Sequence, residues 1–241
     1  MKATVVIPTY NERENIELLV NEILSLDTPV DVIVVDDNSP DGTGGLIDTL
    51  VDAHPDRVHA IHRPAKLGLG TAHIAGFKSA LGQGAERVLS MDADFSHHPR
   101  YIPAMLAKSE EADLVIGSRY VKGGGTRFCS WKRQALSLGA NTFAKTLLGL
   151  RALDCTAGFR CYRREVLLSI DLDDIFSNGY SFLIEMIYRS KLRGWSVAEV
   201  PIIFEDRRHG TSKISRKEVF AAMYTVLRLS TWRFSRRPKS T

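Results

Sequence analysis

Short runs of apolar, mostly β-branched residues alternate along the chain with longer segments whose apolar residues recur at helical spacing. Five of these runs predict strands, at residues 3–7, 31–35, 57–62, 87–91 and 114–117. Three intervening segments predict helices, at residues 16–24, 45–53 and 68–81. The runs are continuously apolar, so the strands should form a mostly parallel sheet with helices on both faces. The pattern therefore predicts a Rossmann-like α/β fold.

The second half of the chain is less regular. Two further helices are predicted at residues 132–150 and 182–193, and two strands at residues 157–162 and 195–204. The sequence has no internal repeat and no low-complexity linker. We expect one large domain over residues 1–215, followed by a basic amphipathic helix and tail over residues 216–241.

Composition narrows the class of protein. The chain has 241 residues, of which 44% are hydrophobic and 25% charged, and these values exclude collagen-like and disordered proteins. It has neither an apolar run of the roughly 18 residues that a membrane helix needs nor a signal-peptide pattern, so we expect it in the cytoplasm. The spacing of Cys129, Cys155 and Cys161 matches no zinc site, which favours reduced thiols.

Charge is distributed unevenly. Residues 207–241 contain ten Lys or Arg and a single acid, Glu218, which gives this segment +9 and the first 206 residues −5. A basic end on an acidic body indicates an anionic partner, such as a nucleic acid, a phospholipid surface or a phosphorylated substrate. Few aromatic residues are interleaved with these cations and no nucleic-acid-binding motif is present, so we expect no nucleic-acid partner.

Three polar clusters follow predicted strands, at residues 8–12, 36–39 and 92–96. Ligands of parallel sheets bind at the carboxyl ends of the strands, so a site is expected where these clusters meet. Asp92 and Asp94 offer hard oxygen ligands for Mg²⁺ or Mn²⁺, which also accept substrate phosphate oxygens. The alternative for this D-x-D sequence is a solvated turn.

Two further features concern nucleotides and phosphates. Asp37 follows the second strand, where an acid can contact a ribose or base, but the first turn lacks the G-x-G-x-x-G pattern, so NAD is not expected. The loop at residues 66–71 has glycines that open a helix and can approach a phosphate, although a plain turn explains it equally well. Arg207 and the segment at residues 210–213 form a cationic loop that could clamp a diphosphate or be merely solvated.

With these features, the chain resembles the family 2 glycosyltransferases of the GT-A fold, most closely the dolichol-phosphate and polyprenol-phosphate mannose synthases. The matching segments span nearly the whole chain: residues 6–12, 34–43, 63–70, 91–97, 117–120, 154–160, 179–182 with Glu185, and Arg207 with residues 210–213. The narrowest matches are Ser-Pro-Asp-Gly-Thr at residues 39–43, Gly-Tyr-Ser-Phe at 179–182 and Gly-Thr-Ser-Lys at 210–213. The resemblance implies GDP-mannose as donor, polyprenyl or dolichyl phosphate as acceptor, and inversion at the sugar.

The resemblance also implies roles for individual residues. Those expected to hold the guanosine are Pro8, Tyr10, Glu12, Val35 and Asp37, with Lys66 nearby. Those expected to hold the metal and diphosphate are Asp92, Ala93 and Asp94, with Ser96 as a weaker third metal ligand where some relatives carry Gln. Those expected to contact donor or acceptor phosphates are Arg119, Arg133, Arg207 and Lys213. We assign catalysis to Asp94, Arg119 and Arg133.

Several relatives continue into membrane helices, so we expect this protein either to work with a separate membrane subunit or to bind the cytoplasmic face of a membrane as a peripheral protein. Near-helical spacing relates a set of apolar residues in the last predicted helix: Val219, Phe220, Met223, Val226 and Leu227. That composition is typical of an interfacial helix, and an ordinary packed terminal helix is the alternative.

The reaction also has an alternative. The protein could be a polyprenyl-phosphate glucosyltransferase that uses UDP-glucose.

Overall fold

A computed structural model describes residues 1–205 and 216–235. The strands are β1 (Ala3–Thr9), β2 (Asp31–Asp36), β3 (Val58–His62), β4 (Arg87–Ser90), β5 (Leu114–Ser118), β6 (Gly125–Arg127), β7 (Arg160–Arg163), β8 (Val197–Pro201) and β9 (Ile203–Glu205). The helices are α1 (Ile16–Leu24), α2 (Thr43–Ala53), α3 (Leu69–Gly82), α4 (Ile102–Lys108), α5 (Trp131–Leu148), α6 (Arg164–Ser169), α7 (Tyr180–Leu192) and α8 (Arg216–Ser235).

Seven strands form one central sheet in the order β3-β2-β1-β4-β7-β5-β8. Strand β7 is antiparallel to both of its neighbours, β4 and β5, and the other pairings in this sheet are parallel. The prediction of a mostly parallel sheet is therefore confirmed. Since β1, β2 and β4 are adjacent and parallel, their carboxyl ends lie at the same edge of the sheet.

Each face of the sheet buries its own hydrophobic core, which confirms that helices cover both faces. One core takes side chains from α1, α2 and α4, and the other takes them from α3, α5, α6, α7 and α8. Helix α3 lies directly on the sheet at Gly76, where an added Cβ would come within 2.2 Å of Val6 Cγ1. A larger residue at position 76 would therefore push α3 away from β1.

The strand predicted at residues 195–204 is wrong in one respect, because two strands occupy this segment. Strand β8 pairs with β5 up to Pro201, opposite Ser118, where β5 ends. Ile202 is buried, and β9 then pairs with β6 in a separate two-stranded parallel sheet. The chain leaves the central sheet here because β5 offers no further residues to pair with.

Helix α8 packs against α5 and α7. Val226 and Leu229 are buried there, and Trp232 lies edge-on to Phe176 with their ring centroids 5.7 Å apart. A set of large apolar side chains on the same helix stays exposed: Phe220, Met223, Tyr224 and Leu227. Helix α8 thus combines a packed inner side with an apolar outer side. Within the two described stretches, no helix has the length and apolar character needed to cross a bilayer.

Candidate active site

The first two polar clusters are joined by hydrogen bonds at the carboxyl ends of β1 and β2. The Thr9 hydroxyl donates to Asp36 Oδ1 at 3.0 Å, and the Asn11 main-chain N–H donates to Ser39 Oγ at 3.0 Å. The Glu12 N–H donates to Thr43 Oγ1 in the first turn of α2. These contacts fix the shape of the two loops that were predicted to hold a nucleoside.

Asp37 anchors a third loop, at residues 63–71, to this group. Its Oδ1 accepts a hydrogen bond from Arg63 Nη1, and its Oδ2 accepts one from the Gly68 N–H at 3.0 Å. Arg63 also donates to Thr71 Oγ1 at 2.7 Å. Gly68 has φ +101°, and a Cβ there would lie 2.5 Å from Asn178 Nδ2, so this turn requires glycine. Asp37 therefore shapes the glycine loop, in addition to any contact with a ligand.

Lys66 and Tyr10 are brought together, as expected for one subsite. The Lys66 ammonium lies over the Tyr10 ring, 3.7 Å from its centroid. Pro8 and Glu12 are half-buried beside them in sequence, whereas Val35 is fully buried with its side chain in the core. The side chain of Val35 is therefore not available to a nucleotide.

The D-x-D segment turns sharply after β4. Ala93 and Asp94 are buried, while Asp92 is partly exposed. Phe95 adopts a left-handed conformation with φ +59°, and the Ser96 N–H donates to Asp94 Oδ1 at 3.1 Å. This turn brings Asp92, Asp94 and Ser96, the three residues predicted to hold a metal, to the wall of one cavity.

The residues at this turn fit a divalent cation. Ser96 Oγ is buried, and it has no hydrogen-bond partner among the described residues. An orphaned buried hydroxyl beside two carboxylates is consistent with a ligand position for Mg²⁺ or Mn²⁺. The described residues contain no set of three or more His, Cys, Asp or Glu side chains that could hold a metal ion. A cation here would therefore rely on Asp92, Asp94, the Ser96 hydroxyl and substrate oxygens.

His97 was not assigned a role from the sequence, although it belongs to the matching segment. Its imidazole is buried between Phe159 and Phe204, and Nδ1 lies 3.7 Å from Asp92 Oδ2. Burial lowers the pKa of His97, against the opposing influence of the Asp92 and Asp94 carboxylates. A neutral imidazole therefore supports the Asp92 side of the turn.

The two predicted phosphate-binding arginines lie on the same cavity. Arg119 follows β5 and forms a bidentate pair with Asp154, with Nε and Nη2 each 2.7 Å from a carboxylate oxygen. Burial alone would raise the pKa of Asp154, but the pairing with Arg119 lowers it. Arg133 lies in the first turn of α5, with its guanidinium 5.9 Å from the centroid of the Phe204 ring.

The cavity has a volume of about 420 Å³ and two chemically different ends. One end contains the carboxylates and arginines described above. The other end, which we call the apolar groove, lies between α5, α7 and α8 and is lined by Leu136, Gly139, Phe143, Ile184, Met223 and Val226. Leu136 and Met223 are each 43% exposed and form its rim. The sequence did not predict this groove, because its walls come from helices far apart in the chain.

Two predicted phosphate contacts, Arg207 and Lys213, lie outside the described residues. Conversely, Asp154, Thr156 and Tyr180 were given no role by the sequence, yet Thr156 and Tyr180 line the cavity and Asp154 binds Arg119. All three fall in segments that carried the family resemblance, at residues 154–160 and 179–182. That coincidence was the one signal that could have identified them.

Solved structures with the same fold include glucosyl-3-phosphoglycerate synthase from Mycobacterium tuberculosis. Its complex with Mn²⁺, UDP and glucosyl-3-phosphoglycerate has a TM-score of 0.66 and 21% identity, covering 95% of this chain and 80% of that one. Its complex with Mg²⁺ and UDP has a TM-score of 0.67 and 22% identity, covering 95% and 79% of the two chains. At this level of identity the match establishes the fold, and the expected GT-A architecture is confirmed.

Sequence relatives are considerably closer. Polyprenol monophosphomannose synthase of Mycolicibacterium smegmatis is 49% identical over 226 residues, which span 93% of this chain and 85% of that protein. Undecaprenyl-phosphate mannosyltransferase of Micrococcus luteus is 43% identical over 230 residues, which span 95% and 93% of the two proteins. The profile of glycosyl transferase family 2 matches residues 4–170. With the D-x-D turn and the GT-A architecture in place, the chain belongs to glycosyl transferase family 2.

Proposed function

We propose that this protein transfers mannose from GDP-mannose to a polyprenyl monophosphate, with a divalent cation and with inversion at the sugar. The observation that carries the proposal is the single cavity in which Asp92 and Asp94 face the same space as Arg119 and Arg133, continuous with the apolar groove. A cation site, an anion site and an apolar channel are what a nucleotide-sugar donor and a lipid phosphate acceptor require. The names of the two mannosyl-transferring relatives support the same acceptor class.

The donor belongs at the D-x-D end of the cavity. Asp92, Asp94 and Ser96 would hold Mg²⁺ or Mn²⁺ together with the diphosphate oxygens of the donor. When bound, the cation supplies positive charge that stabilises the leaving diphosphate. The guanosine would extend toward the subsite formed by Tyr10, Lys66 and the loops that Asp37 holds together.

The acceptor phosphate belongs beside the arginines. A phosphate monoester already carries between one and two negative charges at neutral pH, since its second pKa is about 6. It can therefore attack the anomeric carbon without a strong general base. Arg119 and Arg133 would draw the phosphate into line against repulsion from the donor diphosphate. A single direct attack of this kind inverts the anomeric centre.

The isoprenoid tail belongs in the apolar groove. Val226 and Ile184 form its buried floor, and Leu136 and Met223 form the rim at which a longer chain would leave the protein. Gly139 keeps space open on the α5 side, because an added Cβ would have no heavy atom within 4 Å. The groove would therefore bind the first isoprene units, and the remainder of the tail would stay in a membrane.

We further propose that the protein docks on the cytoplasmic face of a membrane around this rim. Phe128 and Trp131, which we call the aromatic tip, are 85% and 74% exposed on either side of Cys129, a residue of the cavity wall. Residues 119–150 contain six Lys or Arg and no acid. Exposed aromatic side chains on an acid-free cationic segment are typical of a surface that binds anionic lipids. Helix α8 would add its exposed apolar side to this surface.

A two-phase transfer assay tests the proposed reaction. Purified protein receives radiolabelled GDP-mannose or UDP-glucose, a short polyprenyl phosphate and Mg²⁺, with an EDTA control. We expect label in the organic phase only with GDP-mannose and metal. Label from UDP-glucose would replace the donor assignment by the glucosyltransferase alternative, which the UDP complexes of the structural neighbours bring into consideration. Transfer that continues in EDTA would overturn the metal assignment.

A further inference from the structure

Asp154 is a fully buried carboxylate, and within residues 1–205 and 216–235 the one cationic side chain at hydrogen-bonding distance from it is Arg119. It accepts three hydrogen bonds from that residue: from the main-chain N–H at 3.1 Å, from Nε at 2.7 Å and from Nη2 at 2.7 Å. Arg119 Nη2 also donates to Thr156 Oγ1 at 2.9 Å. The guanidinium is thus held along one edge in a single orientation.

The loop that carries Asp154 is itself fixed from behind. The Glu199 carboxylate accepts hydrogen bonds from the Leu153 and Asp154 N–H groups, at 2.8 and 3.0 Å. Asn141, on α5, accepts from the Cys155 N–H at 2.6 Å and donates to Thr156 Oγ1 at 3.2 Å. The position of the Asp154 carboxylate is therefore set by its own loop. The orientation of the Arg119 guanidinium is set by Asp154.

This arrangement leaves one end of the guanidinium for a ligand. Arg119 lines the cavity, and its Nη1 group has no hydrogen-bond acceptor among the described residues. The same cavity wall contains Asp92 and Asp94, which would attract a mobile guanidinium away from an incoming phosphate. His97 is close to all of these groups, since the charges of Asp92, Asp94 and the Arg119–Asp154 pair each influence its pKa. Asp154 thus competes with Asp92 and Asp94 for the guanidinium of Arg119.

We propose that Asp154 is a positioning residue for the acceptor, holding Arg119 with Nη1 toward the cavity so that it binds the polyprenyl phosphate and does not pair with Asp92 or Asp94. This inference rests on the proposed function, because the acceptor phosphate is the ligand that Arg119 receives. Asp154 touches neither substrate in this scheme. Its whole effect passes through the guanidinium of Arg119.

A double-mutant cycle on acceptor affinity tests the proposal. Titration calorimetry measures binding of a short polyprenyl phosphate, with Mg²⁺ and without donor, to the unsubstituted protein, Asp154→Asn, Arg119→Met and the double variant. We expect Asp154→Asn to weaken binding about 30-fold or more, as for the loss of one partner of a buried charge pair. In the Arg119→Met background the same change should have less than about a twofold effect, the usual limit of additivity errors.

Matched variants separate positioning from folding. Asp113 comes directly before β5, whereas Arg119 comes directly after it. The Asp113 carboxylate pairs with Arg163 at 3.3 Å, and neither residue lines the cavity. Asp113→Asn should leave acceptor affinity unchanged. If Asp154→Asn does not fold, Thr156→Val carries the same test, because it removes one acceptor from Arg119 Nη2 and keeps the ion pair. Its smaller loss of affinity should likewise vanish in the Arg119→Met background.

The outcomes are distinguishable. Equal losses of affinity in both backgrounds would mean that Asp154 acts independently of Arg119, which overturns the proposal. Absence of phosphate binding by the unsubstituted protein would overturn the acceptor site and the positioning role together. Normal binding with no turnover of GDP-mannose would refute the proposed donor alone and leave the positioning role standing.

Discussion

The loops proposed to hold the donor and the surface around the apolar groove, which we call the two halves of the proposed site, are built on opposite principles. On the donor side, the acids after β2 are engaged by the protein itself: Asp36 accepts from Thr9 and Ser39, and Asp37 from Arg63 and Gly68. Around the proposed acceptor side, large apolar side chains of the aromatic tip, α5 and α8 are exposed: Phe128, Trp131, Leu136, Leu138, Phe220, Met223, Tyr224 and Leu227. The proposed donor side is pre-organised for a small polar ligand, whereas the proposed acceptor side presents apolar area that a lipid would cover.

The first test of this contrast is the proposed metal site, where we expect the largest effect. Asp94→Ala removes a carboxylate from the D-x-D turn and should reduce kcat by about a thousandfold or more, because the leaving diphosphate loses its charge stabilisation. Transfer assays across a Mg²⁺ and Mn²⁺ series measure this. Asp48→Ala, an exposed acid paired with His62 outside the cavity, is the control and should be fully active. Recovery of Asp94→Ala at high Mn²⁺ would show that Asp94 is not an essential ligand.

The aromatic tip tests whether the apolar area of the acceptor side faces a membrane. We expect Phe128→Asn with Trp131→Ser to weaken binding to anionic vesicles about 100-fold, since each aromatic side chain contributes about 1.5–3 kcal/mol when buried. Asparagine is chosen at position 128 because Phe128 has φ +58°, a conformation that Asn tolerates. Vesicle flotation measures the effect, and Leu18→Ser, also an exposed apolar residue at 54%, is the control. Equal flotation of both variants would assign docking to another surface.

A substitution inside the apolar groove should affect one substrate only. Gly139→Leu fills the open space on α5 and should raise the KM for a polyprenyl phosphate about tenfold with little change in the KM for the donor, as expected for a lost binding contact. The free energy of unfolding should not fall, because leucine in a helix interior is more favourable than glycine by about 1 kcal/mol. Gly45→Leu on α2 is the matched control, since its Cβ also enters open space. A parallel rise in both KM values would contradict a separate acceptor groove.

How much could be predicted from sequence differs between the two halves for a physical reason. β1, β2 and β4 are continuous apolar runs followed by polar residues, so both the strands and the edge with Asp37, Asp92 and Asp94 could be predicted. The acceptor half depends on contacts between segments distant in the chain, which no local pattern encodes. The antiparallel insertion of β7 and the β6–β9 pair are examples.

The same limit explains why Asp154 was missed although Arg119 was assigned. Arg119 and Asp154 are 35 positions apart, and Asp154 is held by Glu199 from a further strand. In the sequence, Asp154 and Glu199 each look like ordinary polar residues. Only the fold shows that they form one network with Arg119. Asp92 and Asp94 needed no such information, because both carboxylates follow a single strand.

The smallest effect at neutral pH is expected in the core between α3, which follows the glycine loop, and α7, which lines the apolar groove. His73, on α3, stacks on Phe182 of α7, with ring centroids 5.5 Å apart and planes within 4°. It is fully buried, and neither ring nitrogen has a hydrogen-bond partner among the described residues. Burial, assisted by the charge of Arg160, lowers the pKa of His73 from 6.5 to about 3. Phenylalanine can replace this neutral ring without losing a hydrogen bond.

The consequence is a pH-dependent stability with a definite sign. Between pH 6.5 and about 3 the unfolded chain binds a proton at His73 and the folded protein does not, so the free energy of unfolding falls as pH falls. His73→Phe should reduce this slope by about 1.4 kcal/mol per pH unit below pH 6.5 and leave both KM values unchanged at pH 7. Urea unfolding at pH 7, 6 and 5 measures it, with His97 supplying a remaining slope in the same direction. An unchanged slope in the variant would show that His73 is protonated in the folded protein, and the core between α3 and α7 would then contain a buried charge.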